Sequence, residues 1–256
     1  MTDDFACTVS FRRENAMRRA DRIVRTPHGA ALFTDDLPLV WFLNQLLVDP
    51  ATRATVDELV AETEAPLGAA RLAHRWISVE DSLGSELADG FRALGWTAEE
   101  ELVMVHHGEL PGIDTRGVEE VTADELAPLW AKSWEDDPDA GSAEAVAQLV
   151  EARHPRRQGV QVRYFAARTE DGIAGWCELF SDGRVAQIEN VLVLEQFRRR
   201  GLGKAVTAGA LSLSRHAHDL TFLVADAHDW PKDLYRKLGF EPVGSTWAFT
   251  RRARTA

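Results

Sequence analysis

The sequence predicts an α/β chain in which one order of elements, strand–helix–strand–helix–strand, occurs twice. Two observations carry that expectation and a third divides the chain. Gly90-Phe91-Arg92-Ala93-Leu94-Gly95-Trp96 and Leu234-Tyr235-Arg236-Lys237-Leu238-Gly239-Phe240 each read as a helix closing on a glycine, with an aromatic residue opening the next strand. Glycine suits the left-handed position just past a helix end. Upstream of both, apolar runs and amphipathic stretches follow one another at similar spacing. Between the copies, His106-His107-Gly108-Glu109-Leu110-Pro111-Gly112-Ile113-Asp114 interrupts the pattern with turn formers. The expected domains are therefore residues 1–112 and 113–256.

In the first half, the apolar run Leu39 to Val48 predicts a strand, Val56 to Glu64 a helix, and Leu72 to Val79 a strand. Val79 to Leu94 then predicts a helix and Trp96 to Val105 a strand. In the second half the matching elements are a strand over Val185 to Leu194, a helix over Gly201 to His216 and a strand over Thr221 to Ala225. A helix over Trp230 to Leu238 and a strand over Phe240 to Arg251 complete it.

The halves differ where chemistry would reside. The strand Val185 to Leu194 runs into Arg198-Arg199-Arg200-Gly201-Leu202-Gly203-Lys204 and a helix start. Glycines let a backbone approach a ligand closely, and a helix start offers unpaired N–H groups and a partial positive charge. Neighbouring arginines add charge-assisted contacts. Such a loop suits a phosphate or pyrophosphate. At the equivalent place the first half has Asp49-Pro50-Ala51-Thr52-Arg53-Ala54-Thr55, with no Gly-x-Gly and with a carboxylate where an anion would sit. Phe91 stands where the second half has Tyr235.

Composition narrows the function classes. The chain has 256 residues, 45% of them hydrophobic, and eight tryptophans, so it can bury packed cores. A formal net charge of −12 argues against a general binder of nucleic acid or of anionic membranes, and the basic residues form no extended stripe with aromatics. Cys7 and Cys177 are the only cysteines, giving neither metal-ligand spacing nor a disulfide framework, so no metal is expected. No apolar run is long enough to span a membrane, and Met1-Thr2-Asp3-Asp4 lacks the pattern of a signal peptide. A cytoplasmic location is the expectation. Monomer and homodimer both stay open.

Two motifs together resemble those of the GCN5-related N-acetyltransferases, the GNAT family. Arg198-Arg199-Arg200-Gly201-Leu202-Gly203 meets the family's Arg/Gln-x-x-Gly-x-Gly/Ala signature, after a strand ending in Val191-Leu192-Val193. Leu234-Tyr235-Arg236-Lys237-Leu238-Gly239-Phe240 is similar to the family's Leu-Tyr-x-x-x-Gly-Phe ending. The resemblance covers about residues 116 to 252, and the first half resembles a degenerate copy, as in tandem GNAT proteins. It implies a mixed, largely antiparallel central sheet flanked by helices, in two tandem GNAT-like domains, the first without a phosphate loop. It also implies acetyl-CoA as cosubstrate and a primary amine, on a small molecule or peptide, as acceptor.

Carried over residue by residue, the resemblance assigns the pyrophosphate to the backbone of Arg199, Arg200, Gly201, Leu202, Gly203 and Lys204, with Arg198 beside them. It assigns the pantetheine arm to Val191, Leu192 and Val193. Tyr235 occupies the place of the family's thiolate partner. The chain departs from the family where an asparagine often contacts the cofactor: His228 stands there, and Pro231 replaces a small residue.

Acetyl transfer to an amine needs a base, an oxyanion donor and a hydrogen bond to the leaving thiolate. Tyr235 suits the last role, and a backbone N–H near Val191 the second. Glu189 is the first candidate for the base, with Asp226 and His228 behind it; a salt bridge or a polar substrate contact is the alternative reading of Glu189. Strict alternation would put Gln187, Glu189 and Val191 on one face of their strand, and Ile188, Asn190 and Leu192 on the other. Trp130, Trp134 and the acidic run Glu135-Asp136-Asp137-Pro138-Asp139 could form an acceptor mouth, or two core tryptophans beside a solvated loop. His154-Pro155-Arg156-Arg157 reads as a basic surface patch. A non-catalytic acyl-CoA-binding or regulatory module is the alternative function, and transfer of a longer acyl chain a third.

Overall fold

A computed structural model describes residues 3–110, 112–135 and 141–252. In chain order the elements are α1 (Asp3–Arg19), β1 (Arg22–Thr26), β2 (Gly29–Phe33), β3 (Gln45–Val48), α2 (Val56–Ala69), β4 (His74–Val79), α3 (Leu83–Ala93) and β5 (Thr97–His106). They continue with β6 (Val118–Val121), α4 (Ala123–Glu135), α5 (Ala143–Arg153), β7 (Gln161–Thr169), β8 (Gly172–Ser181), β9 (Val185–Val193), α6 (Leu202–Ala217), β10 (Leu220–Asp226), α7 (Pro231–Arg236) and β11 (Phe240–Arg252).

These elements form two compact units, each drawn from separate stretches of sequence. The first comprises Arg12–Glu101, Ala131–Gly159 and Gly244–Ala256. The second comprises Met1–Phe11, Leu102–Trp130 and Val160–Val243. The expected segments 1–112 and 113–256 thus each supply the larger part of one unit, but α1, β5 and β11 are shared out between the two.

In the first unit the strand order is β1-β2-β3-β4-β11. A parallel pair, β3 with β4 (Leu46↔Ile77, Leu47↔Ser78), is joined through α2. The other pairs are antiparallel, including β4 with β11 over Val79↔Trp247 to His74↔Arg252. Leu46, Leu59, Ile77, Phe91, Trp96, Trp247 and Phe249 fill the core, where the Phe91 ring stacks on Phe249 with centroids 4.1 Å apart.

In the second unit the strand order is β10-β9-β8-β7-β6, and β9, β8, β7 and β6 pair antiparallel in succession. Its parallel pair, β9 with β10, is joined through α6. Each unit is therefore a mostly antiparallel sheet with a parallel pair and helices on its faces, the mixed architecture expected. One face buries Phe165, Cys177, Leu179, Ile188, Leu211, Leu223, Tyr235 and Phe240. The other buries Phe5, Val9 and Phe11 of α1 against Val103, Val105, Phe180 and Phe222.

Several boundaries differ from expectation. Only Gln45–Val48 of the run from Leu39 is strand; Trp41–Leu43 is a 3-10 turn. Asn44 holds that turn by donating its side-chain amide to the carbonyls of Leu37 and Val40 at 2.9 and 3.0 Å, a local bond that competes with strand pairing. The helix expected from Val79 begins at Leu83, because Val79 belongs to β4, where it pairs with Trp247. α1 escapes an apolar-periodicity reading because arginines and small polar residues dominate it. Its acidic first turn (Asp3, Asp4) and basic last turn (Arg18, Arg19) complement the helix dipole.

Candidate active site

The site is built around the start of α6. Gly201 is the N-cap, with φ 81° and ψ 0°, and has no side chain with which to cap the helix. Two residues earlier Arg199 is also left-handed, at φ 62°. Left-handed residues alternating with ordinary ones turn successive N–H groups toward one concavity. The first turn of α6 contains no acidic residue, while Arg198, Arg199 and Arg200 are exposed just before it. Arg198 and Arg200 are tethered locally, donating to the Val193 carbonyl and the Gln196 carbonyl, each at 3.2 Å. An uncapped helix start with this charge pattern suits an anion.

The two glycines differ in their physical role. A Cβ at Gly201 would meet nothing within 4 Å, so that glycine is there for its backbone angle. Gly203 has no such angle, and a Cβ there would rest 3.6 Å from Val193 Cγ2 in ordinary contact. The fold alone would accept alanine at 203. What glycine adds at that position is a bare backbone beside the loop.

Upstream, β9 carries a bulge. Glu178 faces Glu189 in the β8–β9 register, but Trp176 faces Leu192 and Gly175 faces Val193, so one extra residue has entered β9. Asn190 lies within the extra span and has φ 52°, which asparagine tolerates better than most residues. The bulge corrects the expectation of strict alternation: Val191 joins Ile188 against the core that contains Tyr235, instead of sharing a face with Gln187 and Glu189. An inserted residue shifts the two-residue period by one. The parallel pairing of β9 with β10 ends at Ile188↔Leu223, although β9 runs on to Val193 and β10 to Asp226. The two strands part where the bulge begins.

Tyr235 lies on α7 and is 8% exposed, its ring edge-on to Phe240 at 6.3 Å. Burial, followed by the charges of Glu189 and Cys177, pushes its hydroxyl well above the ordinary tyrosine range. Glu189 is half-buried and its carboxylate accepts the side-chain amide of Gln187.

The segment from Gln161 through Tyr235 has a matching family model. Residues 161–242 match the acetyltransferase (GNAT) domain family. This part of the chain is similar to a GNAT acetyltransferase domain.

Solved structures extend the likeness of fold beyond the GNAT domain. A functionally unknown conserved protein from Staphylococcus epidermidis superposes with a TM-score of 0.72 at 16% identity, over 92% of this chain and 95% of that one. A GCN5-related N-acetyltransferase from Kribbella flavida gives 0.65 at 20% identity, over 99% and 97%. A tandem GNAT protein from the clavulanic acid biosynthesis pathway gives 0.55 at 19% identity, over 83% and 74%. No curated protein matches the sequence.

The first unit has the corresponding parallel pair and helix, without the open helix start of the GNAT domain. Thr55 caps α2: its hydroxyl accepts the Glu58 N–H at 3.3 Å, and its own N–H donates to the Glu58 carboxylate at 2.8 Å. The backbone and side-chain hydrogen bonds of Thr55 hold Glu58 below the ordinary carboxylate range. Asp57 and Glu58 make this first turn negative. A reciprocal cap consumes the donors that an anion would need. The Thr-x-x-Glu spacing that signals it stands in plain view in the sequence.

Other expected residues lie as follows. Asp226, the last residue of β10, and His228 just past it are both exposed, the His228 N–H donating to Asp226 Oδ1 at 2.6 Å. Trp130 is buried in the second unit with its ring centroid 5.4 Å from that of Tyr164, so it is core rather than the lining of an open mouth. Trp134 belongs to the first unit, where Arg153 lies over its ring at 5.4 Å. Residues 136–139 of the acidic run lie outside the described residues. The basic patch is neutralised: Arg156 and Arg157 both pair with Glu151, and Arg157 also pairs with Asp36. Among the described residues no helix is long and apolar enough to cross a membrane, and no group of three or more His, Cys, Asp or Glu side chains is placed to hold a metal. Sequence reasoning passed over Asn190 and Glu178. The available signal was an asparagine inside an otherwise β-rich run, a residue depleted in regular strands.

Proposed function

We propose that the chain is an acetyl-CoA-dependent N-acetyltransferase whose second unit transfers an acetyl group to a primary amine by direct attack. One observation carries this reading: the uncapped, left-handed Arg199–Gly201 turn at the start of α6 lies next in sequence to a strand, β9, that parts from its neighbour β10. The first feature suits a pyrophosphate. The second leaves a strand edge on which an extended pantetheine arm can pair with the backbone of Val191, Leu192 and Val193.

In this reading the N–H groups of Arg199 to Lys204 receive the pyrophosphate, and Arg198 contributes charge. Glu189 takes a proton from the acceptor ammonium. The free amine attacks the thioester carbonyl; a C–N bond forms, and the backbone N–H of Val191 donates to the developing oxyanion. As the C–S bond breaks, Tyr235 gives its hydroxyl proton to the thiolate, and the second proton of the nitrogen, released as the amide forms, passes through solvent to restore the tyrosine. A tyrosine held protonated by burial suits a donor. His228, exposed and turned about Asp226, stands beside the cofactor arm. The first unit supports the second without binding cofactor itself.

Calorimetric titration with acetyl-CoA tests this. One site per chain, abolished by Gly201→Glu with Gly203→Glu, is the expected result. Absence of binding by the unaltered protein overturns the reading. Binding without turnover across a panel of primary amines would leave an acyl-CoA-binding module instead.

A further inference from the structure

We propose that Glu178 is a positioning residue for the cofactor cleft, acting through Asn190 to hold the β9 bulge open; the inference rests on the acetyl-CoA reading above. Glu178 lies on β8 and is 0% exposed. Burying a carboxylate is costly unless hydrogen bonds compensate it. Its Oε2 accepts the side-chain amide of Asn190 at 2.9 Å. Asn190 is the left-handed residue at the point where the β8–β9 register slips.

Strand register alone disfavours an acid at 178. Its register partner is Glu189, and like charges directly opposite on antiparallel strands are destabilising. The acid does have a use for the neighbouring backbone. A non-glycine residue at φ 52° carries backbone strain, which a side-chain anchor offsets. With the Asn190 amide anchored on the buried carboxylate, the extra residue stays in β9. Val191 then turns to the Tyr235 side while Glu189 keeps the opposite face, and β9 leaves β10 after Ile188. If Asn190 relaxed, alternation would be restored, Val191 would change faces, and the parting of β9 from β10 would close.

The test is acetyl-CoA affinity, with folded stability measured in parallel by urea unfolding. Glu178→Leu removes the acceptor at similar bulk and should weaken binding about tenfold or more, whereas Glu178→Gln keeps an acceptor and should stay within about threefold. Asn190→Gly adopts the left-handed angle without a tether and should bind nearly normally. Glu178→Leu combined with Asn190→Gly should therefore bind better than Glu178→Leu alone, a rescue that a merely structural role for Glu178 does not predict. Should Glu178→Leu fail to fold, Asn190→Val decides the matter with Glu178 intact, since a β-branched residue resists the left-handed region; it too should lose binding about tenfold. Normal affinity in Glu178→Leu or Asn190→Val, or no rescue in the double variant, overturns the proposal and leaves the acetyltransferase reading standing. Failure of the unaltered protein to bind acetyl-CoA overturns both.

Discussion

Arg13 donates to the Val48 carbonyl at 2.5 Å and to Asp49 Oδ1 at 2.6 Å, closing the end of the first unit's β3 with a guanidinium from the same unit. The corresponding strand of the second unit, β9, ends on the arginine-glycine turn. Glu80, buried beyond β4, lies 3.7 Å from Arg13 and 3.6 Å from Arg12. Here the fold supplies its own cation and its own carboxylates where the GNAT domain presents an open helix start.

Arg13→Ala should therefore destabilise the first unit without creating a second cofactor site. Removing one partner of a buried ion pair costs on the order of 3 kcal/mol, and Arg12 offsets part of that for Glu80. Urea unfolding should show the loss, while acetyl-CoA stoichiometry stays at one. A second binding event in this variant would mean that Arg13 alone silences the first unit.

The two loop glycines should separate folding from binding. Gly201→Ala forces a side chain into the left-handed region, at about 1–2 kcal/mol. Gly203→Ala introduces only an ordinary contact with Val193 and should leave thermal stability nearly unchanged, yet weaken acetyl-CoA by about tenfold. Thermal melts paired with titration calorimetry measure both. Unimpaired binding in Gly203→Ala would remove the close approach of pyrophosphate to that backbone.

Tyr235→Phe keeps the ring against Phe240 and removes the hydroxyl. Stability should change by less than about 1 kcal/mol, the KM for acetyl-CoA should hold, and kcat should fall about a hundredfold. An unchanged kcat would take Tyr235 out of the chemistry and leave it as packing.

His74 makes the first unit sensitive to acid. It is fully buried, stacked on Trp41 at 5.0 Å, with Nε2 2.9 Å from the Asn44 carbonyl. Burial, the largest cause, lowers its pKa from 6.5 to about 4. The folded form thus holds the proton less well than the unfolded chain. Stability is full above pH 6.5, falls as pH drops below it, and stops falling from this source near pH 4, a loss of about 3 kcal/mol at most. Burial lowers His106 as well, adding in the same sense, whereas burial raises Glu80, which acts oppositely. The measurement is therefore a difference: unfolding free energy against pH for the unaltered protein and for His74→Gln. A smaller slope between pH 6.5 and 4 in the variant is expected, and identical slopes would refute the assignment.

Much of the second unit could be read from the sequence because its signals are local. Arg199, Gly201 and Gly203 sit together at one helix start, and Tyr235 precedes a helix-closing glycine by four residues. What escaped reading depends on partners far away in the chain. The Asn190 bulge is invisible to a period-two count, since its anchor, Glu178, is on another strand. By its sequence Trp130 could line an acceptor mouth or belong to a core; its neighbour Tyr164, on another element, makes it core. The sharing of β5 and β11 between units leaves no mark on the periodicity of either strand, which records burial and not the identity of the neighbour.

That sharing bears on how the chain is made. Phe91 and Ile77 emerge from the ribosome in the first half of synthesis, yet Trp247 and Phe249, which complete their core, follow only after everything up to residue 243. Throughout that interval the nascent first unit must carry an unpaired β4 edge and an uncovered apolar surface, a state prone to association with other chains. Slow translation of the second half, or a stop before Gly244, would therefore expose the first unit to aggregation and to holding chaperones.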